Sequence, residues 1–475
     1  MQQSLMSIVP EILLVFFGLF LIVINVIASE DNKASVGYFG VAFIVLILLL
    51  VIPTGSTVFG FGKMIVWDRF AYMFFLIFSI AFVLSILGSV NYVDRNFSNK
   101  GEYYLIMFFS VIGMTFMVSA IDLSIFYLGM ETMAISMYIL SGYEKNNVKS
   151  NEAGIKYFII GAFSSAIFLF GLSYVFGYTG TTRYYDIARI IVENGLDSFN
   201  IKVGLILMLV GFSFKITAFP FHMWAPDVYT GAPTPVTGFM TVAPKAAAFG
   251  GLIRFVWIAM EPAQFQWQLF FAILAVLTMT YGNLVALVQN NVKRMLAYSA
   301  ISHAGYMLIG LVAANELGYQ AIAMYMVIYG FMNIGAFTIL SVMVSRGILE
   351  SERLESFSGL AKKHPLISLS MLIFMFSLAG IPPLAGFIGK FYIFAAAIKS
   401  GFVWLAIIGI VNSAVACYYY IRIVIFMYFK EPEHEVVAEG GYVPMLGVFL
   451  SAVFVIIIGI FPECLVSLAK SIIVH

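Results

Sequence analysis

The sequence predicts an all-α polytopic membrane protein with about 14 transmembrane helices. Its 475 residues are 62% hydrophobic and 10% charged, whereas a soluble domain is about half apolar and about 25% charged. Apolar windows of about 20 residues, the length that crosses a bilayer as a helix, recur from end to end. The longest polar connections, near 178–200, 346–365 and 430–441, leave no room for a soluble domain.

The apolar windows define the predicted spans, numbered one to fourteen in chain order. The first window has no Lys or Arg before it, so it lacks the basic region of a signal peptide and is predicted to be a retained span. The windows are centred near residues 18, 44, 80, 110, 132, 165, 210, 247, 278, 304, 330, 380, 414 and 455.

Lysine and arginine in the connecting loops predict the orientation of the chain. Loops after odd-numbered spans hold about twelve of them, and loops after even-numbered spans hold about half as many. This bias predicts that both termini lie on the non-cytoplasmic side. The residues counted after odd-numbered spans are Lys33, Arg95, Lys100, Lys145, Lys149, Lys293, Arg294, Arg346, Arg353, Lys362, Lys363 and Lys430.

The rare residue types exclude several kinds of chemistry. Only two cysteines are present, Cys417 and Cys464, whereas iron–sulfur and structural zinc sites take several ligands at close spacing. Of five histidines only His222 and His303 are predicted at membrane depth, and there is no glycine-rich phosphate loop. We therefore expect no metal, no redox centre, no nucleotide hydrolysis and no nucleic-acid partner. The substrates that remain are protons, ions or solutes.

Four ionisable residues are predicted near the middle of a span: Glu131, Lys215, Lys245 and Lys390. A charge at that depth costs about 2.5–3.5 kcal/mol on insertion scales, so it is by default a functional candidate. The alternative is a lysine that reaches the interface or a charge paired for packing, and depth favours function at these four positions. Glu11 lies at the edge of the first span, and the sequence assigns it no role.

Five further residues are weaker candidates. Lys156 is close to a helix start, where reaching the interface is an equal alternative. Lys293 fits ordinary anchoring at the cytoplasmic face better than chemistry. His303 is either a proton shuttle or a hydrogen-bonded packing residue. His222 and Asp227 lie in a proline-rich segment, where capping is as good an explanation as chemistry.

Prolines break two apolar spans next to a lysine. Pro220 follows Lys215 in span seven, and Pro382 and Pro383 precede Lys390 in span twelve. Backbone groups freed by proline are tolerated in a membrane only inside protein or along a water-filled cavity, so both lysines are predicted to face a hydrated interior. The two breaks are five spans apart, and an odd number of crossings inverts the second copy. Such paired breaks in two inverted halves are typical of an ion path in transporters.

The sequence resembles the antiporter-like membrane subunits of respiratory complex I, from about residue 60 to residue 430. Within that family it is most similar to the N-type subunits, because it has Lys390 where the M type has glutamate, Lys245 where the other types tend to have histidine, and no long lateral helix as in the L type. The blocks that carry the resemblance are GMETMAISMYIL, EAGIKYF, GFSFKITAFPFHMWAPDVYTGAPTPV, NNVKRMLAYSAISHAGY and SLAGIPPLAGFIGKFYIF.

The resemblance implies a division of the chain around two inverted five-helix repeats, with helices 7 and 12 broken. Residues 1–100 would form helices 1–3, residues 101–260 the first repeat (helices 4–8), residues 261–430 the second repeat (helices 9–13) and residues 431–475 helix 14. The window count and the two proline breaks agree with this division.

The resemblance also implies a proton relay. Glu131 would pair with Lys215 and keep it protonated, and the proton would move on through water when the neighbouring subunit draws Glu131 away. Lys245 would be the central relay group, and Lys390 the link to the far side. Lys156 matches a lysine of the family as well. Quinone reduction elsewhere in the complex would supply the energy.

We therefore expect a proton-translocating subunit of a NADH:quinone oxidoreductase in the bacterial inner membrane, without a cofactor of its own. NADH, FMN, iron–sulfur clusters and quinone would bind to partner subunits, and the other antiporter-like and membrane-arm subunits would be its neighbours in the bilayer. An alternative is a cation/proton (Na⁺/H⁺) antiporter subunit of a related multisubunit complex. A membrane scaffold that no longer pumps is a third reading, and four mid-membrane charges argue against it.

Overall fold

The computed structural model describes residues 7–53, 57–345, 352–432, 436–438 and 441–472. Within these ranges the regular structure is almost entirely α-helical, which confirms the predicted fold class. Arg346, which was counted for the orientation of the chain, lies outside the described residues. The orientation itself stays a prediction.

The helices and strands are numbered in chain order. The first eleven helices are α1 Val9–Ile27, α2 Ala34–Leu50, α3 Arg69–Asn96, α4 Lys100–Ser119, α5 Leu123–Ser141, α6 Val148–Thr179, α7 Tyr184–Asn194, α8 Phe199–Lys215, α9 Ala225–Gly231, α10 Thr234–Met240 and α11 Ala243–Arg254. The others are α12 Gln264–Leu287, α13 Val292–Val312, α14 Glu316–Val342, α15 Leu360–Lys363, α16 Pro365–Ala379, α17 Ala385–Lys399, α18 Val403–Phe429, α19 Tyr442–Ile460 and α20 Glu463–Lys470. Two antiparallel strand pairs join β1 Val58–Gly60 to β2 Ile65–Trp67 and β3 Met343–Ser345 to β4 Val436–Ala438.

The described residues contain twelve segments that are long and apolar enough to cross a membrane. They correspond to predicted spans one to six, eight to eleven, thirteen and fourteen. Predicted spans seven and twelve are each divided into two shorter helices, α8 with α9 and α16 with α17. We call these the first and the second interrupted helix. The predicted breaks are therefore confirmed, whereas the total of fourteen crossings stays a prediction.

Short polar side chains begin many of the helices. The first amides of a helix have no intrahelical acceptor, and lipid provides none. Asp68 accepts a hydrogen bond from the amide of Ala71 at 2.8 Å at the start of α3. Asp122 and Asn291 cap α5 and α13 in the same way. These caps place the helix starts in the short polar loops that separate the apolar windows.

The centre of the molecule is formed by α13 and α14, whose most apolar windows are wholly buried. The segment 234–259, which contains α10 and α11, is 94% buried over its window. By contrast, α1, α2 and α6 bury only a third of theirs and lie at the periphery. The candidate charge of α11, Lys245, therefore lies in the interior of the protein, away from lipid.

Two loops make matching backbone contacts at the starts of α5 and α13, which are predicted spans five and ten. Leu123 N, at the start of α5, donates to Thr182 O at 2.9 Å, and Val292 N, at the start of α13, donates to Glu352 O at 2.8 Å. Asp122 and Asn291 each form an isolated β-bridge with an arginine, Arg183 and Arg353 respectively. Because five predicted crossings separate the two sets, such matching contacts support an inverted repeat. The limits 101–260 and 261–430 stay predictions.

Candidate functional site

Lys215 is the last residue of α8, where the first interrupted helix ends. The chain turns at Thr217, whose φ of 60° is incompatible with a continuing helix. Pro220 follows in the connection to α9. The amide of Phe219 donates to Thr278 Oγ1 of α12 at 2.9 Å, so the break is stabilised by a neighbouring helix.

The surroundings of Lys215 are polar but contain no contact ion pair. Lys215 is 8% exposed, and its Nζ donates to Ser165 Oγ of α6 at 3.4 Å. Glu131 is near enough for its charge to act on Lys215. Among the described residues, however, no carboxylate oxygen lies within the 4.0 Å that defines an ion pair. The direct pair expected between Glu131 and Lys215 is thus not formed in this conformation, and one carboxylate oxygen of Glu131 is buried without a hydrogen-bond partner.

Lys245 lies beside an interruption that the sequence analysis did not predict. The α-helix ends at Met240 and begins again at Ala243. Thr241, in the gap, accepts a hydrogen bond from Asn333 Nδ2 of α14 at 2.6 Å. Lys245 is 1% exposed, and its Nζ donates to the carbonyl oxygen of Ala300 in α13 at 2.6 Å. The sequence signal for this break is Pro244, which directly precedes the lysine.

Lys390 folds back onto the break of the second interrupted helix. The first half, α16, ends at Ala379, and Pro382 and Pro383 lie in the connection to α17. Lys390 Nζ donates to the carbonyl oxygens of Leu378 and Ala379 at 3.0 and 3.1 Å. The end of a helix carries a partial negative charge and free carbonyl groups, so it holds an ammonium group in place of a carboxylate.

His303 links the regions of the two last lysines. Its imidazole is 1% exposed and makes two hydrogen bonds, Nδ1 to the hydroxyl of Tyr325 at 2.6 Å and Nε2 to the hydroxyl of Tyr420 at 3.0 Å. On the other side, Lys390 Nζ lies 4.9 Å from the ring centroid of Tyr306, and that ring lies 5.7 Å from the ring of His303. None of these tyrosines was singled out in the sequence, because aromatic residues are common throughout this chain.

Lys156 and Lys293 lie away from the three buried lysines at the helix breaks. Lys156 is 40% exposed at its side chain and pairs with Glu152 at 2.6 Å and with Asp227 at 3.0 Å. Lys293 is buried, pairs with Glu352 at 3.2 Å and donates to Ala232 O at 2.8 Å. These contacts fasten the end of the first interrupted helix to α6 and α13, which is an anchoring role.

His222 and Glu11 are both buried with unpartnered polar atoms. Neither ring nitrogen of His222 has a hydrogen-bond partner, and the ring lies 4.6 Å from that of Tyr281. Glu11 accepts a hydrogen bond from Ser119 Oγ at 2.7 Å through one oxygen only. The structure brings His222 into the first break and keeps Glu11 at the end of α4.

Substitution of Lys156 by methionine is expected to leave proton pumping almost unchanged. The change removes two partly exposed ion pairs, each of which is worth at most about 1 kcal/mol. The pumping rate and the amount of assembled complex in the membrane would be measured together. A loss of pumping in a fully assembled variant would instead place Lys156 in the path.

An unpredicted pair of opposite charges lies at the end of α11. Arg254 is fully buried and donates to both carboxylate oxygens of Asp68, at 2.8 and 3.0 Å. Its Nε also donates to Val118 O at 2.9 Å, at the end of α4. The described residues contain no group of three or more His, Cys, Asp or Glu side chains suited to a metal ion.

Comparison with known proteins matches residues 120–416 to the family model of the NADH:quinone oxidoreductase/Mrp antiporter transmembrane proteins. NADH-quinone oxidoreductase subunit N of Trichlorobacter lovleyi is 44% identical over 98% of this chain and 96% of its own. The same subunit of Rhodospirillum rubrum is 40% identical over 91% of this chain and 89% of its own.

Solved structures with the same fold include a chain of respiratory complex I from Thermus thermophilus with bound aureothin. It is 30% identical, has a TM-score of 0.81 and covers 96% of this chain and 98% of its own. A chain of the Mrp complex from Dietzia has a TM-score of 0.83 over 99% of this chain and 97% of its own, at 19% identity, and so shares the fold alone. The chain belongs to the NADH:quinone oxidoreductase/Mrp antiporter family of membrane proteins.

Proposed function

We propose that this chain is a proton-translocating subunit of a bacterial NADH:quinone oxidoreductase. Its relatives in T. lovleyi and R. rubrum are named as subunit N of that enzyme, and they match nearly the whole chain. NADH, FMN, iron–sulfur clusters and quinone would bind to other subunits, which this one would contact in the inner membrane. Both termini would lie on the non-cytoplasmic side.

One observation carries the proposal: Lys215, Lys245 and Lys390 are all buried, and each lies next to an interruption of its helix. A buried lysine without a contact ion pair releases its proton more readily than a paired one, because its charge is less well compensated. Three such lysines on three different segments form a series in which a proton can be held and passed on. If these three lysines served packing alone, a helix break beside each of them would not be required.

Polar atoms without protein partners support a hydrated route around the first lysine. Thr217 Oγ1, Trp224 Nε1 and both ring nitrogens of His222 are buried and make no hydrogen bond to protein. Buried polar groups nearly always have a partner, and a site with several of them can hold water. Water at these positions would connect Lys215 to the break of its helix and would carry protons to it.

Between the second and third lysines, His303 is the candidate proton carrier. Lys245 is bonded to Ala300 O, and His303 lies less than one turn further along the same helix, α13. The hydrogen bonds of His303 to Tyr325 and Tyr420 allow the ring to receive a proton on one nitrogen and release one from the other. We assign His303 as the link from Lys245 to Lys390.

Glu131 is the group that a neighbouring subunit can reach. It is only half-buried, and Leu128 and Ile135 on the same side of α5 are 62% and 53% exposed. A partner that packs on this face would change the position or the charge of Glu131. Because its charge acts on Lys215, that change would control when Lys215 gives up its proton.

The proposal is tested by substituting Glu131 with glutamine in the assembled complex and measuring donor:quinone oxidoreduction and proton pumping in membrane vesicles. Both activities are expected to fall together, since glutamine cannot carry the charge that holds the proton on Lys215. Glu193→Gln is the control, because Glu193 is exposed at the end of α7. Near-normal pumping in an intact Glu131→Gln complex would contradict the proposal.

The alternative of a Na⁺/H⁺ antiporter subunit has weaker support. The Mrp complex resembles this chain in fold alone, at 19% identity, whereas the matching oxidoreductase subunits reach 44%. Sodium-driven proton movement in vesicles that lack an electron donor would favour the antiporter.

A further inference from the structure

Four phenylalanines form a layer across the first half of the molecule. One comes from each of predicted spans five to eight: Phe126 of α5, Phe168 of α6, Phe212 of α8, and Phe255 of the π-helical turn that follows α11. All four side chains are at most 1% exposed. We call this set the phenylalanine layer.

The rings of the layer are in mutual contact. The centroid of Phe212 lies 4.9 Å from that of Phe126, 5.3 Å from that of Phe168 and 5.5 Å from that of Phe255. The centroids of Phe126 and Phe168 are 5.7 Å apart. These separations are typical of packed aromatic pairs. Phe212 is therefore the centre of the layer, and the other three rings surround it.

The space between the rings and the backbone is closed as well. A Cβ atom added to Gly251 of α11 would lie 2.1 Å from the ring of Phe126, and one added to Gly211 of α8 would lie 2.7 Å from Cβ of Phe168. Glycine at these two positions lets the helices approach the rings directly. Such packing leaves no room for a column of water through the layer.

The layer lies directly beside the proposed proton path. Phe212 precedes Lys215 by three residues in α8, which is about 4.5 Å along the helix axis. Phe168 follows Ser165, the hydrogen-bond partner of Lys215, by three residues in α6. The layer therefore separates Lys215 from the end of the molecule where α7 lies, and Tyr184 of α7 packs on Phe255 at 5.6 Å.

A fixed charge lies just behind the layer. Arg254 precedes Phe255 and is held by Asp68 and by Val118 O. Arginine is always protonated in proteins, so it cannot pass a proton on as a lysine does. Apolar constrictions exclude water from pores, and a guanidinium held by a carboxylate offers no group behind the layer that takes up and releases a proton.

From this geometry we infer that the phenylalanine layer is the barrier that closes the Lys215 chamber toward the α7 side of the membrane. A proton that reaches Lys215 cannot cross the layer, so it is passed sideways to Lys245. The inference rests on the proposed function, because it assigns the layer a role in proton movement. It identifies the residues that prevent protons from leaking from Lys215 to the α7 side of the membrane.

The test is to place a hydroxyl group in the layer by substituting Phe168 with serine. This change would continue the polar row of Ser164 and Ser165 by one turn, through the opening left by the ring. Vesicles that carry the assembled complex, without electron donor, would be given a pH gradient, and its decay would be followed with an internal pH dye. We expect a several-fold faster decay for Phe168→Ser than for the unsubstituted complex.

Two matched variants show whether the barrier is responsible. Phe168→Leu keeps the layer apolar and is expected to hold the gradient. Phe170→Ser makes the same chemical change two residues away on the outer face of α6, where Phe170 is 56% exposed, and is also expected to hold it. If Phe168→Ser does not assemble, Phe126→Gln introduces a polar group into the layer from α5. A gradient that persists in the assembled polar variant would overturn the inference.

The leak also separates the barrier from the relay. With Lys215→Met added to Phe168→Ser, the leak is expected to fall if protons reach the layer through Lys215. A leak that is independent of Lys215 would still support the barrier but would count against the proposed relay. A Phe168→Ser complex that holds the pH gradient but whose pumping still depends on Glu131 would support the relay and count against the barrier.

Discussion

Proton pumping is expected to be lost when Lys215 is replaced by methionine, while the complex still assembles. Methionine fills a similar volume and removes a buried charge, so the packing of α8 against α6 is retained. Without an ammonium group at the break, the series loses its first proton carrier. Groups positioned for proton transfer contribute about 10²–10⁴-fold to a rate, and we expect a decrease of at least that order in pumping. Pumping and quinone reduction would both be measured in vesicles.

A second substitution at the same position separates proton transfer from charge. Arginine preserves the positive charge but does not release its proton, so Lys215→Arg is expected to fail as Lys215→Met does. Lys202→Met is the matched control, because Lys202 lies in the same helix, is 54% exposed at its side chain and pairs with Asp197 outside the path. Normal pumping by Lys215→Arg would show that Lys215 acts by its charge alone.

The sequence predicted the two interrupted helices because their cause is local. Pro220, Pro382 and Pro383 each remove an amide donor, and a lysine within a few residues shows that the break faces protein or water. The predicted depth of Glu131, Lys215, Lys245 and Lys390 rested on the length of the apolar windows. Those features depend on a few consecutive residues and can be read without knowing which helices are neighbours.

The contacts between distant helices could not be predicted in this way. Asp68 and Arg254 are 186 residues apart in sequence, and each was hidden at the edge of an apolar window. The phenylalanine layer combines four segments in a chain with 47 phenylalanines, so no single one stands out. The same reason explains why Tyr325 and Tyr420 were missed around His303. Such partners become visible only when the packing of the helices is known.

The interruption at Lys245 was missed for another reason. Proline is tolerated in the first turn of a helix, where its missing amide is not needed. Pro244 was therefore compatible with a helix that begins there as well as with one that continues through it. The structure shows the first case, since α11 begins at Ala243. A proline within an apolar window marks a possible helix start as much as a kink.

The buried pair of Asp68 and Arg254 is expected to be the most sensitive position for the stability of the chain. Asp68→Ala leaves the fully buried guanidinium of Arg254 without its carboxylate, and breaking such a pair costs about 3–5 kcal/mol. It also removes the cap from the Ala71 amide. A loss of this size is a large part of the stability of a folded protein, so little assembled complex is expected. The amount in the membrane and the melting temperature in detergent would be measured.

The double variant Asp68→Ala, Arg254→Met shows where that cost comes from. If the penalty is the uncompensated charge, the double variant is expected to assemble better than Asp68→Ala alone, because an apolar pair often replaces a buried ion pair at little cost. Glu431→Ala is the control, since Glu431 forms an exposed pair with Lys362 at 2.9 Å that contributes little. A double variant no better than Asp68→Ala would attribute the loss to the missing helix cap.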